Sequence, residues 1–355
     1  MKMRSVFSEA WRNLVSGTSK TVTAVVVSLL VFGGLAVIDT RAMIAVFQQV
    51  QTFRESGATV QVLSAAGAID GARCEALNQV QGIRASGALR GAKSTHINVL
   101  PANEFMTYEV TPGFAAVLSE QAGKGSGVWL PDTLAHTLSV GEGSTLVTAQ
   151  GTTQVAGSYA YPDDGRDRQL GNSVLAQVPA DGVFDACWAE VWPPSVETAN
   201  YLRTALLPIV DKDNKPNQGQ LNYSLGKNFD AVGALSERVT ALSAYVTCAI
   251  GIVLGFVLIR TRRLELSAAL HAQVPRVMMS WQVLIETSII AIMTLVPAFS
   301  LLVFVSIYDN PLTMWEPWLV GARIVVSGVV GLLGGTQLGV LFTREKHLFK
   351  YFKER

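Results

Sequence analysis

Signatures of nucleotide, metal and nucleophile chemistry are missing from this sequence. No Gly-x-x-x-x-Gly-Lys-Ser/Thr run occurs, so the backbone cradle that wraps a nucleotide's phosphates is absent. Gly91-Ala-Lys-Ser94 and Gly123-Lys-Gly-Ser126 carry similar residue types at the wrong spacing. The four histidines, His96, His136, His271 and His347, are scattered, with no spacing that would close a metal shell. No serine, cysteine or carboxylate constellation suggests hydrolysis; Asp163, Asp164, Arg166 and Asp167 read as a solvated turn, and the Asn222-Tyr-Ser224 sequon has no required role. Charged side chains make up only 15% of 355 residues and balance to +1. The basic ones are dispersed, which argues against a nucleic-acid partner. The expectation is a chain that is not catalytic alone and binds no metal or cofactor directly.

Apolar residues are abundant, at 49% of the chain and a mean hydropathy of +0.33. They concentrate in four uncharged runs: Thr21 to Ile38, Val239 to Ile259, Thr287 to Ile307 and Ile324 to Phe342. A bilayer core about 30 Å thick is crossed by roughly 20 apolar helical residues, so each run reads as a transmembrane helix. A cleaved signal peptide is the alternative for the first, but no small-residue cleavage site follows it and three more spans do. Lys and Arg set the orientation. Lys2, Arg4, Arg12 and Lys20 precede the first span, Arg260, Arg262, Arg263 and Arg276 lie between the second and third, and Arg344, Lys346, Lys350, Lys353 and Arg355 follow the fourth. Residues 39–238 hold 20 acidic and 14 basic side chains, and Tyr308 to Pro317 holds Asp309 and Glu316 with no base. The expected arrangement is a cell-membrane protein with both termini cytoplasmic and a large domain outside.

The expected divisions are a lead-in helix at 1–20, spans at 21–38, 239–259, 277–307 and 318–342, and an outer domain with its stalk at 39–238. A cytoplasmic coupling loop at 260–276, a short outer loop at 308–317 and a basic tail at 343–355 complete them. Alternating runs in the outer domain predict strands at Thr59 to Leu63, His96 to Leu100, Thr145 to Thr148, Thr153 to Ala160 and Asn172 to Val178. Helical runs fall at Gly71 to Val80, Pro131 to Leu138 and Val196 to Leu207, so the domain is mixed α+β. Lys212 to Gln220 reads as a loop, leading to a stalk helix from Phe229 that continues into the second span, since Ala234 to Ile250 lacks Gly and Pro. Cys74 and Cys187 both lie in this domain, where an oxidising compartment permits one disulfide; two buried free thiols are the alternative.

Three segments in order resemble the MacB/FtsX family of four-helix permeases. Phe7-Ser-Glu-Ala-Trp-Arg-Asn-Leu14, with Trp11, Arg12 and Asn13, is similar to the family's amphipathic lead-in helix and its Ala-x-Arg-Asn-Leu pattern. Arg260-Thr-Arg-Arg-Leu-Glu-Leu-Ser-Ala-Ala-Leu-His-Ala272 resembles the coupling helix that docks on an ATPase, which implicates Arg262, Arg263, Glu265, Leu266, Leu270 and His271. It departs from the pattern at Arg263, where Glu is usual, and at His271, where Gly is usual. Leu284-Ile-Glu-Thr-Ser resembles a Leu-x-Glu-Ala at the start of the third span; Glu286 there reads as a membrane-boundary acid rather than a substrate ligand. In the outer domain, the strand, short helix and hairpin from Gly127 to Val147 look like the MacB-type periplasmic core.

The resemblance implies a permease subunit of an ABC transporter complex, with ATP and Mg bound by a separate ATPase subunit and the permease itself a homodimer in the lipid bilayer. ATP-driven motion would be passed to the outer domain to act on a peptide, antibiotic, lipid-linked or protein partner outside. An FtsX-like role in activating a cell-wall hydrolase, or a sensor or scaffold without an ATPase, are the rival readings. Two stripes of small residues at four-residue spacing, Ser243, Thr247, Gly251 and Gly255 in the second span and Ser327, Gly331, Gly335 and Gly339 in the fourth, are placed for close helix packing.

Overall fold

The chain opens in helix. α1 (Met3–Val15) is followed by α2 (Thr21–Ser28), which passes through a π-helical turn (Leu29–Gly33) directly into α3 (Gly34–Glu55). The continuous helix from Thr21 to Glu55 is 35 residues long, well beyond the end at Ile38 expected from the sequence. This computed structural model describes residues 3–16, 19–118, 127–208, 215–308 and 310–343. Lys2, Asp309, Lys212, the run at 123–126 and the basic tail from Arg344 to Arg355 lie outside the described residues. The chain divides into two compact units, Val50–Phe229 and the rest, and the division falls within α3.

The unit Val50–Phe229 is a mixed sheet with helices on it. Its elements are β1 (Val60–Asp70), α4 (Gly71–Ala76), β2 (Ile83–His96), β3 (Glu104–Val110), α5 (Phe114–Leu118), β4 (Val128–Pro131) and α6 (Asp132–Leu138). They continue with β5 (Thr145–Thr148), β6 (Gly151–Tyr159), β7 (Ser173–Gln177), β8 (Val183–Val191), α7 (Val196–Asn200) and β9 (Asn217–Gln220). Among the described residues, nine strands lie in the order β5-β6-β4-β7-β3-β2-β8-β1-β9. β3–β7 and β4–β6 pair in parallel and the others antiparallel. The expected strand at His96 to Leu100 ends where it was to begin, because Leu100 N–H donates to Ile97 C=O at 2.8 Å and closes a turn. Lys212 to Gln220 is not all loop, since its last four residues form β9.

Cys74 on α4 is bonded to Cys187 on β8. Both are fully buried among Leu63, Ile69, Leu77, Ile83, Phe184 and Leu202, so the bridge fastens α4 to the sheet through the core.

Within this unit the last turn of α3 is held by side chains. Helix ends leave carbonyls without intrahelical donors; here Arg166 Nη2 donates to Glu55 C=O at 2.8 Å and Asn222 Nδ2 to Ser56 C=O at 2.9 Å. Arg166 is only 7% exposed, so the reading of a solvated turn fails for it while Asp163 and Asp167 are exposed as expected; Asn222 is fully buried. Asp164 grips the Arg166 guanidinium at 2.7 and 2.9 Å, and the Tyr161 ring lies 5.1 Å from it. Partial burial pushes the Asp164 carboxyl upward, but the bonds and charge of Arg166 outweigh this and hold it below the ordinary carboxylate value. A carboxylate shifted down stabilises the fold above its unfolded pKa, and that contribution is lost as pH falls through the folded value. The destabilisation caused by Asp164→Asn should therefore be present at neutral pH and vanish in acid, read by comparing hydrogen exchange at Arg54 to Ser56 in both chains.

The second unit adds α8 (Ala231–Ser236), α9 (Ser243–Thr261), α10 (Arg263–His271), α11 (Arg276–Ile307) and α12 (Trp315–Phe342) to the start of the chain. Among the described residues, four helices are long and apolar enough to cross a membrane: Thr21–Glu55, Ser243–Thr261, Arg276–Ile307 and Trp315–Phe342. The continuous stalk expected before the second of these is absent. α8 stops at Ser236, whose hydroxyl donates to Gly233 C=O at 3.0 Å, and α9 restarts only at Ser243. Ser and Thr side chains compete for the backbone here, while Thr240 Oγ1 donates to the fully buried Asp39 of α3 and Arg238 approaches the same carboxylate at 3.8 Å.

The two small-residue stripes meet each other. A Cβ on Gly251 would stand 2.2 Å from Gly328 C=O, on Gly255 2.2 Å from Leu332 C=O, on Gly331 2.2 Å from Cys248 C=O and on Gly335 2.1 Å from Ile252 C=O. One on Gly339 would stand 2.6 Å from Ile259 Cβ. Thr247 donates to Ile324 C=O at 3.1 Å, Ser327 to Ala244 C=O at 2.8 Å, and Ser243 is buried at the head of the seam. The stripes are thus spent within one chain, joining α9 to α12. Gly335→Val should cost about 1–3 kcal/mol through overpacking, visible as a lower unfolding temperature in detergent.

Candidate functional site

The local sequence makes a sharp corner after α9. Arg262 is both the residue that ends α9 and the N-cap of α10, and Pro275 ends the following turn and starts α11. That corner points the Arg262 guanidinium inward, with only 8% of its side chain exposed. It forms two bonds to Glu265, at 2.8 and 3.0 Å, and an ion pair with Glu286, three turns into α11. Glu286 is 3% exposed; its other oxygen accepts from Asn13 Nδ2 of α1 at 2.8 Å, and Gln282, one turn earlier, lies 3.5 Å away.

A buried charge is costly unless paired and hydrogen-bonded, and here each buried member has a partner of opposite charge. The network ties the lead-in helix, the α9–α10 corner and α11 into one knot. Next to it an apolar cluster of Ile259, Leu266, Met279, Val283 and Val340, with Leu270 against it, joins α9, α10, α11 and α12.

This placement revises the set of residues assigned to ATPase docking. Arg262 and Leu266 are buried and Leu270 is half-buried. Positions 262, 266 and 270 fall on one helical stripe, and that stripe packs on the chain's own helices rather than facing outward. Arg263 is half-buried; Glu265 and His271 are exposed, together with Ala268 and Ala272, which the sequence did not single out. On α1, Trp11 is 57% exposed and Arg12 exposed, whereas Asn13 turns to Glu286. Glu286 is held as a structural counter-ion and not displayed on a surface.

Sequence reasoning missed the second acid, Asp39. A signal was present, since Asp39 and Arg238 are opposite charges bounding consecutive apolar runs. It also left Ser280 unremarked; the Ser280 hydroxyl donates to Gln337 and joins α11 to α12. Among the described residues no group of three or more His, Cys, Asp or Glu could hold a metal ion.

No family model matches the chain, and no curated protein does. Among solved structures, it is similar to a crystallised domain from Porphyromonas gingivalis assigned provisionally to a permease, at 12% identity over 50% of this chain and 95% of that one. With a TM-score of 0.28, the likeness carries no argument about fold or function.

Proposed function

We propose that this chain is the membrane subunit of an ATP-driven complex of the MacB/FtsX permease type, working with a separate ATPase that binds the nucleotide and Mg. The observation that carries the reading is the knot of Asn13, Arg262, Glu265 and Glu286, which ties three segments of the family resemblance to one another. Movement of α10 by a partner would be felt at once by α1, α9 and α11, because Arg262 at the α9–α10 corner pairs with Glu286 of α11, and Asn13 of α1 donates to the same carboxylate. In this reading the four apolar helices cross the bilayer, both termini and α10 are cytoplasmic as the Lys and Arg distribution favours, and Val50–Phe229 is the outer domain. Two copies would form the working permease, and the cargo would be a peptide, antibiotic or lipid-linked molecule outside the membrane.

The test is mild-detergent purification from native membranes with an assay of vanadate-sensitive ATP hydrolysis. Ala268→Asp with Ala272→Asp is the control pair, because Ala268 on α10 and Ala272 at its C-cap are both exposed and their substitution spares the packed stripe. A stoichiometric ATPase that is lost from the variant supports the proposal. Purification without an ATPase or hydrolysis would favour a membrane sensor or scaffold instead.

A further inference from the structure

The segment between α8 and α9 is broken against its own local preference. Ser236-Glu-Arg-Val-Thr-Ala-Leu242 contains neither Gly nor Pro, and none of its residues has a positive φ. The backbone there has not moved far from a helix. Glu237 (φ −86°, ψ 3°) and Leu242 (φ −93°, ψ 5°) lie in the bridge region that borders helical space. Between them Arg238 C=O accepts from Ala241 N–H at 2.9 Å and Thr240 C=O from Ser243 N–H at 2.9 Å, each three residues on rather than four. The N–H groups of Arg238, Val239 and Thr240 make no backbone hydrogen bond among the described residues. In an unbroken helix they would donate to the carbonyls of Ala234, Leu235 and Ser236.

What holds the break is a side chain on another helix. Asp39 of α3, fully buried, accepts from Thr240 Oγ1, and Arg238 Nη2 stands 3.8 Å from the same oxygen. Residues two apart on an α-helix point about 200° away from each other, so Arg238 and Thr240 could not both face Asp39 from a continuous one. The arrangement is only partly satisfied. Asp39 Oδ2, Arg238 Nε and Nη1 and Ser243 Oγ are all buried with no hydrogen-bond partner among the described residues, and such groups cost free energy. Local preference thus favours the helix while one carboxylate favours the break, and two packings opposed in this way lie close in energy. In the continuous form Val239, wholly exposed in the break, would fall about 40° from Ser243 and lengthen the seam toward α12, whereas Arg238 would turn about 140° from Ser243.

We infer that Glu237–Leu242 is a two-state switch, broken or helical, and that Asp39 is the lock on its broken state. In the helical state α8 and α9 become one rod about 46 Å long, and displacement along α9 reaches α8 undiminished. In the broken state the turns absorb it. The inference does not depend on the permease reading, because it rests on contacts within this chain.

The experiment is amide hydrogen exchange of the full chain in detergent, comparing the parent with Asp39→Ala and Thr240→Val. In the parent the amides of Arg238, Val239 and Thr240 should exchange fast. A hydrogen bond to a charged acceptor is worth more than a tenfold change in equilibrium, so either substitution should slow exchange at these three amides by at least about threefold. A merely structural Asp39 would give the opposite sign, since loss of a packing contact loosens its surroundings. Thr240→Val keeps the side-chain shape and decides alone if Asp39→Ala does not fold. Unchanged or faster exchange at the three amides, or slowing shared equally by Gly251 in the middle of α9, overturns the assignment.

Discussion

Arg262→Ala should lower the stability of the detergent-solubilised chain by about 3–5 kcal/mol, the range for breaking one side of a buried ion pair. The loss comes less from the missing bonds than from the Glu286 carboxyl, 3% exposed, which would be left buried without its counter-ion beside Asn13 and Gln282. Replacing both partners, Arg262→Met with Glu286→Leu, removes the charge along with its counter-ion and should recover much of the stability. Thermal unfolding of the two variants measures this directly. The double variant also separates structure from function. If it is as stable as the parent but no longer supports a partner's ATP hydrolysis, the ion pair belongs to the coupling machinery. If hydrolysis survives, the network only holds the corner in shape. An Arg262→Ala chain as stable as the parent would refute the burial argument.

The second large effect concerns the bridge between Cys74 and Cys187. It closes a loop across a sequence separation of 113, for which chain entropy gives close to 5 kcal/mol and experience with native disulfides about 2–5 kcal/mol. Cys74→Ala with Cys187→Ala should therefore lower the denaturant midpoint of the sheet unit strongly. Both sulfurs are fully buried, so dithiothreitol should leave the folded chain oxidised and act only at denaturant concentrations that open it. Reduction of the native chain within minutes under non-denaturing conditions would contradict the burial of the bridge.

The four apolar helices were legible because their signal is local: an uncharged run of the right length needs no tertiary information. Strands with flanking turn residues were legible as well, β5 and β7 among them. β2 and β8 were not. Both lie inside the sheet, and runs such as Ser86-Gly-Ala88 and Asp185-Ala-Cys187 lack the polar alternation that marks a half-exposed strand. The site was half legible. Asn13, Arg262, Glu265 and Glu286 were each singled out from sequence, but Arg262 and Glu286 are 24 residues apart and Asn13 and Glu286 are 273 apart. Nothing in the sequence alone says that such separated groups meet. The same limit explains why Leu266 was read as facing a partner. An amphipathic stripe shows that one face is covered, but not whether the cover belongs to the same chain.

The single π turn at Leu29–Gly33 sets the azimuth of everything that follows it in the first long helix. Ala24, Ser28, Phe32, Ala36, Thr40 and Ile44 are all buried, one every four residues. In an ideal α-helix a row with that spacing slips by about 40° at each step, and over this length it would wind from the packed side to the opposite one. A wider turn advances less per residue, and it takes out part of the slip midway along the row. Phase, rather than flexibility, is what this turn contributes. Deleting one residue between Leu29 and Gly33 would let the segment relax to a plain α-helix; the step of about 100° lost with the residue is nearly regained by the tighter turn, so Asp39 should still face Thr240. The residue count between Ser28 and Asp39 and the wide turn are matched, so a change in one alone would turn Asp39 away from Thr240.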